Sequence, residues 1–167
     1  YWGGGIFYAG SNGLMSGNTI ANNRSGWPGG GAFLAGSSQS TLSDNIIVDN
    51  TTASEGGGVF CDQNSSATLT GNRIDGNAAW SGGGFYAVGS SHTLTRNTLS
   101  GNVATTTGGG ASMRTSTVTM ADLEILGNEA GVNGPLYVGQ GGGLSIGDGA
   151  IVTLVRSTIA DNSVGDA

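Results

Sequence analysis

The sequence predicts an all-β protein, a right-handed parallel β-helix (a solenoid) of about six coils of 26–27 residues with three short strands per coil. First, Gly-Gly-Gly begins at residues 3, 29, 56, 82, 108 and 141 of the 167-residue chain, and a fixed period of this size is typical of stacked repeats. Second, the stretch after each triplet alternates apolar and variable residues with the two-residue period of a strand. Third, two asparagine positions recur at fixed distances from the triplet.

The repeat unit has the same order in each coil. The triplet is followed by a strand such as Val59-Phe60-Cys61, by a Thr-Leu-Thr stretch such as Thr68-Leu69-Thr70, by Asn72, by an aliphatic residue and by a second asparagine, Asn77. Equivalent strands of successive coils then pair in parallel, about 4.8 Å apart. Right-handed winding is expected because parallel crossovers strongly favour it.

The corners that recur in each unit have distinct physical roles. Triple glycine suits a tight corner where stacked backbones approach closely. The asparagines are predicted at the other corners, in the left-handed conformation that Asn tolerates, with side-chain amides that donate and accept along the stack. The second asparagine position is filled in all six units, whereas Leu123 and Ser157 replace Asn at the first.

Composition excludes several classes of function. The net charge is −6, all five cations are Arg, and 34 residues are Gly. An acidic chain without basic clusters is poorly suited to binding nucleic acid. No apolar run approaches the roughly 18 residues of a membrane span. A single Cys, Cys61, provides neither a disulfide nor a thiolate metal site. It falls on an inward position and is predicted to be a small core residue.

The unit resembles the right-handed parallel β-helix repeats of bacterial surface proteins, of the polymorphic outer-membrane and choice-of-anchor types. The matching residues are Gly-Gly-Gly-Ile6 and Gly-Gly-Gly-Val59, followed by Leu42-x-x-Asn45 and Leu69-x-x-Asn72, with Leu where those repeats usually have Phe. This resemblance covers nearly the whole chain. It implies an exported protein, extracellular or at the cell surface, with a structural or adhesive role.

Domain organisation follows from the repeat. Residues 1–167 are predicted to form a single solenoid domain with one inserted loop over residues 129–140, which carries Tyr137. Neither end shows a polar cap of the kind that solenoids need. We therefore expect part of a longer array, head-to-tail self-association into a fibre, or contact with another surface protein.

An outward column of aromatic residues is the first candidate binding site. Strand parity places the second residue after each triplet on the outside, because the fourth position of the same parity includes Asp62 and Arg114. Rings that stack on one another explain this column structurally, whereas a flat exposed row would bind a glycan. The candidate ligand residues are Trp27, Phe33, Phe60, Trp80, Tyr86 and Tyr137.

A second outward face carries threonine columns. Paired columns of this kind resemble the ice-binding face of insect antifreeze solenoids, although Thr is also a favoured strand residue. The residues of the ice-binding alternative are Thr41, Thr68, Thr70, Thr93 and Thr95.

Catalysis, cofactors and metals are not expected. Asp62 and Arg114 lie two coils apart, about 10 Å by strand spacing, and no paired carboxylates of the kind used in glycoside hydrolysis are evident. The single histidine, His92, is predicted in a solvated corner beside Ser90 and Ser91, without a second metal ligand. The sequence thus predicts a module that is not an enzyme, with a glycan-binding or ice-binding solenoid as the alternatives.

Overall fold

The computed structural model describes residues 2–131 and 139–165 and confirms the parallel solenoid. Its strands form four parallel sheets of six strands each, so each coil contains four short strands and the predicted three is wrong. The additional strand lies between the second asparagine and the glycine triplet. The six triplets define five complete turns, and the strands after Gly143 form a last rung, so the number of complete coils is slightly below the predicted six.

The sheets follow one another around each coil. The first contains β1 (Ile6–Ala9), β5 (Ala32–Ala35), β9 (Val59–Cys61), β13 (Phe85–Val88), β17 (Ala111–Arg114) and β21 (Leu144–Gly147). The second contains β2 (Gly13–Ser16), β6 (Gln39–Ser43), β10 (Ser66–Thr70), β14 (Ser91–Thr95), β18 (Thr117–Ala121) and β22 (Ile151–Val155). The third contains β3 (Thr19–Ala21), β7 (Ile46–Val48), β11 (Arg73–Asp75), β15 (Thr98–Ser100), β19 (Glu124–Leu126) and β23 (Thr158–Ala160). The fourth contains β4 (Arg24–Ser25), β8 (Thr51–Thr52), β12 (Ala78–Ser81), β16 (Val103–Thr107), β20 (Glu129–Ala130) and β24 (Ser163–Val164).

The core is a column of aliphatic side chains inside the coils. Leu42, Leu69 and Leu94 stack in register and are fully buried, as are Ile47 and Ile74 on the opposite side. The side chains that the two-residue alternation predicted to point inward are therefore the buried ones. In the last rung the same columns are uncovered, so that Leu154 and Ile159 are exposed.

The glycine triplets form a corner where successive backbones lie too close for side chains. The N–H of Gly83 donates to the carbonyl of Gly108 at 3.1 Å, and the N–H of Gly84 donates to that of Gly109 at 3.1 Å. A Cβ placed on Gly84 would lie 2.6 Å from the carbonyl oxygen of Gly110. The first glycine, such as Gly82, has a φ of +62°, which confirms why this corner requires glycine.

The second asparagine position forms a continuous ladder of buried amides. The Nδ2 group of Asn77 donates to Oδ1 of Asn102 at 3.0 Å and to the carbonyl of Ile47 at 2.9 Å. Its Oδ1 accepts the backbone N–H of Asn50 at 2.9 Å and Nδ2 of Asn50 at 3.0 Å. Each amide therefore bonds to the rungs on both sides, which confirms the predicted asparagine ladder.

The left-handed residues are not the ladder asparagines, and that part of the prediction is wrong. Positive φ falls on the residue before both asparagine positions, as in Asp44 (55°) before Asn45 at the first position and Asp49 (55°) before Asn50 at the second. The preceding residue turns the chain, and the turn aims the asparagine side chain inward. Gly, Asp and Asn, which adopt positive φ most readily, occupy most of these turning positions, and Arg96 and Arg156 occupy the other two.

The insertion near residue 129 is shorter than the predicted loop over 129–140. Glu129–Ala130 pair with β16 and β24 as strand β20, and Gln140 forms a parallel bridge with Thr107. Residues 132–138, including Tyr137, lie outside the described residues. In the described part of the chain, no helix is long and apolar enough to cross a membrane.

Candidate functional site

The outward aromatic column of the first sheet forms a second, smaller core outside the coils. Phe33 and Phe60 lie in register with ring centroids 4.9 Å apart, and Phe60 stacks on Tyr86 at 5.3 Å with an interplanar angle of 6°. Phe33, Phe60 and Tyr86 are only 1%, 6% and 5% exposed. They pack with Ala35 as a cluster separate from the aliphatic core. Their outward direction was thus predicted, but the exposure assumed for a flat aromatic row is wrong.

Burial of this column comes from its neighbours along and beside the stack. Trp2 stacks on Phe33 at 5.2 Å with an angle of 12° and also stacks on Trp27 at 5.8 Å. Two tryptophans of the predicted set keep substantial exposure, 56% for Trp27 and 39% for Trp80. Trp27 lies at the N-terminal end of the column, whereas Trp80 lies near its other end.

A polar cleft opens where the aromatic column stops. The positions in register with Tyr86 in the next two rungs are Ser112 and Ser145. Serine is too small to fill the corner that the aromatic rings fill in earlier rungs. The opposite wall is an in-register row of Glu55, Ser81, Thr107 and Gln140 from the end of the fourth sheet. The resulting cleft has a volume of about 350 Å³ and is also lined by Trp80, Tyr86, Arg114 and Asp148.

Hydroxyl groups form a connected row on the cleft floor. Ser81 Oγ and Thr106 Oγ1 lie 2.7 Å apart, and Thr107 Oγ1 donates to Ser81 Oγ at 3.1 Å. Thr107 Oγ1 also lies 3.4 Å from Ser112 Oγ, across the glycine corner. The row therefore links the two walls. Because Thr106 donates its proton to the Trp80 carbonyl and Thr107 donates its proton to Ser81, the row presents mainly acceptor lone pairs to the cleft.

Charged groups meet at one side of the cleft. Arg114 forms an ion pair with Asp148 of the next rung and lines the cleft together with Tyr86. Burial raises the pKa of Tyr86, Arg114 opposes that rise, and the carboxylates of Glu55 and Asp148 add to it. Glu55 accepts a hydrogen bond from Ser54. The sequence prediction considered Arg114 only with Asp62; a register alignment of Arg114 with Gly147 brings Asp148 beside it.

The outward face of the second sheet is uncharged and carries hydroxyl groups in its middle rungs, whereas exposed Leu14, Ile151 and Val155 interrupt its columns in the first and last rungs. Thr41, Thr68, Thr93, Thr119 and Thr153 pair in one exposed column, as predicted. Ser43, Thr70 and Thr95 form the half-buried neighbouring column, and Ser66, Ser91 and Thr117 belong to a third. A shallow trough of about 490 Å³ runs along this face. No Asp, Glu, Lys or Arg occupies these columns.

His92 is buried, so its predicted position in a solvated corner is wrong. It is 3% exposed and lies inside strand β14, in register with Ala67 and Val118. The N–H of Ala67 donates to Nδ1 at 3.2 Å, and Nε2 has no hydrogen-bond partner among the described residues. Burial lowers the pKa of His92 to about 4. The alternation contained the signal, because His92 lies two residues before the inward Leu94.

Cys61 is fully buried in the aliphatic core, as predicted. Burial strongly raises the pKa of its thiol, which keeps the sulfur protonated and unreactive. Among the residues that the structure describes, no group of three His, Cys, Asp or Glu side chains comes together in the manner of a metal site.

The fold and these faces define a β-solenoid repeat protein with outward surfaces available for contact. A family model described as a right handed beta helix region matches residues 1–104, more than half of the chain. The chain therefore belongs to the right-handed β-helix family. No curated protein and no solved structure matches it significantly. Membership is consistent with a structural or binding module, and a fold alone does not determine activity.

Proposed function

We propose that the chain is a non-catalytic β-solenoid module, extracellular or at the cell surface, that has a structural and adhesive role. The observation that carries this proposal is the parallel stack of four sheets, each of six strands, with its buried asparagine ladder. Such a stack is a rigid rod that presents flat faces at fixed spacing, which suits contact with a surface. The resemblance of the repeat to those of bacterial surface proteins supports the location.

The state of the carboxylates in the cleft supports the absence of catalysis. Asp148 is held by Arg114, and Glu55 accepts a hydrogen bond from Ser54. Glycoside hydrolysis needs one carboxyl group as an acid and a second as a base or nucleophile, both directed at the scissile bond. Carboxylates engaged with an Arg and a Ser are better suited to holding a ligand than to proton transfer.

Three measurements test the proposal. Immunogold labelling of intact cells of the source organism should decorate their outer surface or the surrounding matrix. Beads coated with the purified chain should adhere to cells more than albumin-coated beads do. Incubation with neutral and acidic polysaccharides should release no reducing ends. Purely cytosolic labelling, equal adherence of both beads, or steady release of reducing ends would each refute the corresponding part.

Head-to-tail association of the rods stays a prediction within this proposal. Sedimentation velocity should show a concentration-dependent series of species if the rods associate. A single monomeric species at all concentrations would contradict it.

The hydroxyl face of the second sheet favours ice binding as a second candidate function. The face is regular because its columns repeat at the strand spacing of about 4.8 Å, and it carries no charge although the chain has 16 charged residues in total, 5 Lys or Arg and 11 Asp or Glu. A regular row of hydroxyl and methyl groups matches an ordered lattice of water better than a charged face does.

Thermal hysteresis measures this second candidate. The wild-type chain should depress the freezing point below the melting point, and Thr68→Tyr should abolish the gap because a bulky ring interrupts the exposed column. Thr98→Tyr is the matched control, since Thr98 belongs to the outer face of the third sheet. Absence of hysteresis in the wild type, or equal loss in both variants, would reject ice binding.

A further inference from the structure

We propose that Asn64 is the acceptor of an N-linked glycan. The chain contains three Asn-x-Ser/Thr sequences, which begin at Asn23, Asn50 and Asn64, and this sequence is the acceptor of N-glycosylation in exported proteins. The inference rests on the proposed location outside the cell, because the sugar is transferred on the exported side of a membrane. It adds a covalent modification at the corner between the first and second sheets.

Two of the three acceptor sequences are built into the asparagine ladder. Asn50 is fully buried, and its Nδ2 group donates to Oδ1 of Asn77 at 3.0 Å and to a backbone carbonyl of the neighbouring rung at 2.8 Å. The Nδ2 group of Asn23 donates to Oδ1 of Asn50 at 2.8 Å. The hydroxyl residues of both sequences, Ser25 and Thr52, are buried as well. A transferase therefore cannot reach either nitrogen without opening the stack.

Asn64 lies instead on a turn at the surface. Residues 62–65 connect β9 to β10, whereas only Gly89 and Ser90 connect the equivalent strands of the next rung. The N–H of Ser65 donates to the carbonyl of Asp62 at 3.1 Å and closes the turn. Asn64 is exposed and has a φ of +65°, a conformation that asparagine tolerates. Of the three acceptor asparagines, Asn64 alone is placed as an enzyme acting on the folded chain requires.

The residues on both sides of Asn64 complete the acceptor. Ser66 supplies the hydroxyl group; it is exposed at the start of β10, with the same outward parity as Thr68. Asp62 places a carboxylate two residues before Asn64, where it can form an ion pair with an arginine of the transferase. The equivalent positions of the other two sequences are Ala21 and Val48, so exposure and charge coincide at Asn64.

The donor is a lipid-pyrophosphate-linked oligosaccharide, and the transfer needs no redox partner. The Nδ2 group of Asn64 attacks C1 of the first sugar. The bond between Nδ2 and C1 forms, the bond between C1 and the pyrophosphate oxygen breaks, and the lipid pyrophosphate leaves. Nδ2 releases one proton to a base of the transferase. The product carries a bulky, hydrated chain beside the outward face of the second sheet.

Transfer to the purified, folded chain tests the site. The chain is incubated with a bacterial oligosaccharyltransferase of the class that selects an acidic residue two positions before the asparagine, and with its lipid-linked oligosaccharide. Intact-mass spectrometry should show the addition of one glycan, and peptide mapping should place it on Asn64. Asn64→Gln should abolish the addition. Asp62→Asn, which removes only the charge, should lower the yield by about 10-fold or more, as loss of a charged anchor does.

Val48→Asp is the matched control. It places a carboxylate two residues before the buried Asn50, at the position that Asp75 occupies in the next rung. This variant should carry a glycan on Asn64 and none on Asn50, provided that circular dichroism shows its strand signal to be intact. The wild-type chain tests the proposal without any variant.

The inference is overturned if the wild-type chain stays unmodified while a standard acceptor peptide in the same reaction is glycosylated. It is also overturned if Asn50 in the Val48→Asp variant accepts as much glycan as Asn64, or if Asp62→Asn leaves the yield unchanged. Failure of the transfer leaves the proposed function intact, because surface labelling and adherence are measured on cells. Conversely, cytosolic labelling would refute the location even if the transfer succeeds in the purified system.

Discussion

The side-chain amide of Asn77 donates to the side-chain carbonyl of Asn102 at 3.0 Å, and both residues are fully buried. Asn77→Ala removes this bond and the bond to the carbonyl of Ile47, and it leaves the N–H and Nδ2 groups of Asn50 without their acceptor. Unsatisfied buried polar groups are costly, so we expect a loss of about 3 kcal/mol in the free energy of unfolding. Urea unfolding followed by circular dichroism measures it.

The control for the ladder is Asn18→Ala in the first rung. Asn18 donates through its backbone N–H and Nδ2 to Asn45, but it is exposed and water can replace the lost partner. Its removal should cost less than about 1 kcal/mol. If the two variants are equally stable, the ladder is not what holds the rungs together.

Acid should destabilise the protein through His92. Burial lowers its folded-state pKa to about 4, against about 6.5 in the unfolded chain. Between these values the unfolded chain binds more protons, so stability falls as the pH decreases from about 6.5 towards 4. A shift of roughly 2.5 pH units corresponds to a maximum loss of about 3 kcal/mol.

His92→Val isolates this effect, because Val118 occupies the same inward column in the next rung. The variant leaves the N–H of Ala67 without its acceptor, so its free energy of unfolding at neutral pH also changes for a reason unrelated to titration. The measurement is the slope of unfolding free energy against pH between about 6.5 and 4. The slope should be much smaller in the variant, and an unchanged slope would assign the acid sensitivity to other groups.

The buried aromatic column should behave as a core. Phe60 is 6% exposed and contacts both Phe33 and Tyr86, so Phe60→Ala should destabilise the fold by about 3 kcal/mol. Phe7 occupies the same column but is 49% exposed, and Phe7→Ala should cost less than about 1 kcal/mol. Thermal unfolding of the two variants compares them; equal midpoints would show that the column is a surface feature.

Sequence reasoning predicted the stack, the register and the inward columns because these depend on periodicity alone. Leu69, Asn77 and Cys61 lie where the spacing puts them. It correctly offered ring stacking as the structural explanation of the outward aromatic column. It did not predict the burial of Phe33 and Phe60, since burial depends on how far the neighbouring rungs and Trp2 cover the rings. The cleft was missed for the same reason: its walls come from residues on both sides of the glycine corner, and only the three-dimensional turn brings Thr107 and Ser112 together.

The glycine corner yields a prediction that separates close packing from backbone conformation. Gly84→Ala should be strongly destabilising, by more than about 3 kcal/mol, because its Cβ would lie 2.6 Å from the backbone carbonyl oxygen of Gly110 and a backbone atom cannot move aside cheaply. Gly127→Ala tests conformation alone, since Gly127 has a φ of +58° and no atom within 4 Å of the added Cβ. Its cost should be about 1 kcal/mol, the penalty of a left-handed L-residue. Urea unfolding of both variants gives the comparison. A larger loss for Gly127→Ala would mean that left-handed strain, and not the contact between rungs, requires glycine in this repeat.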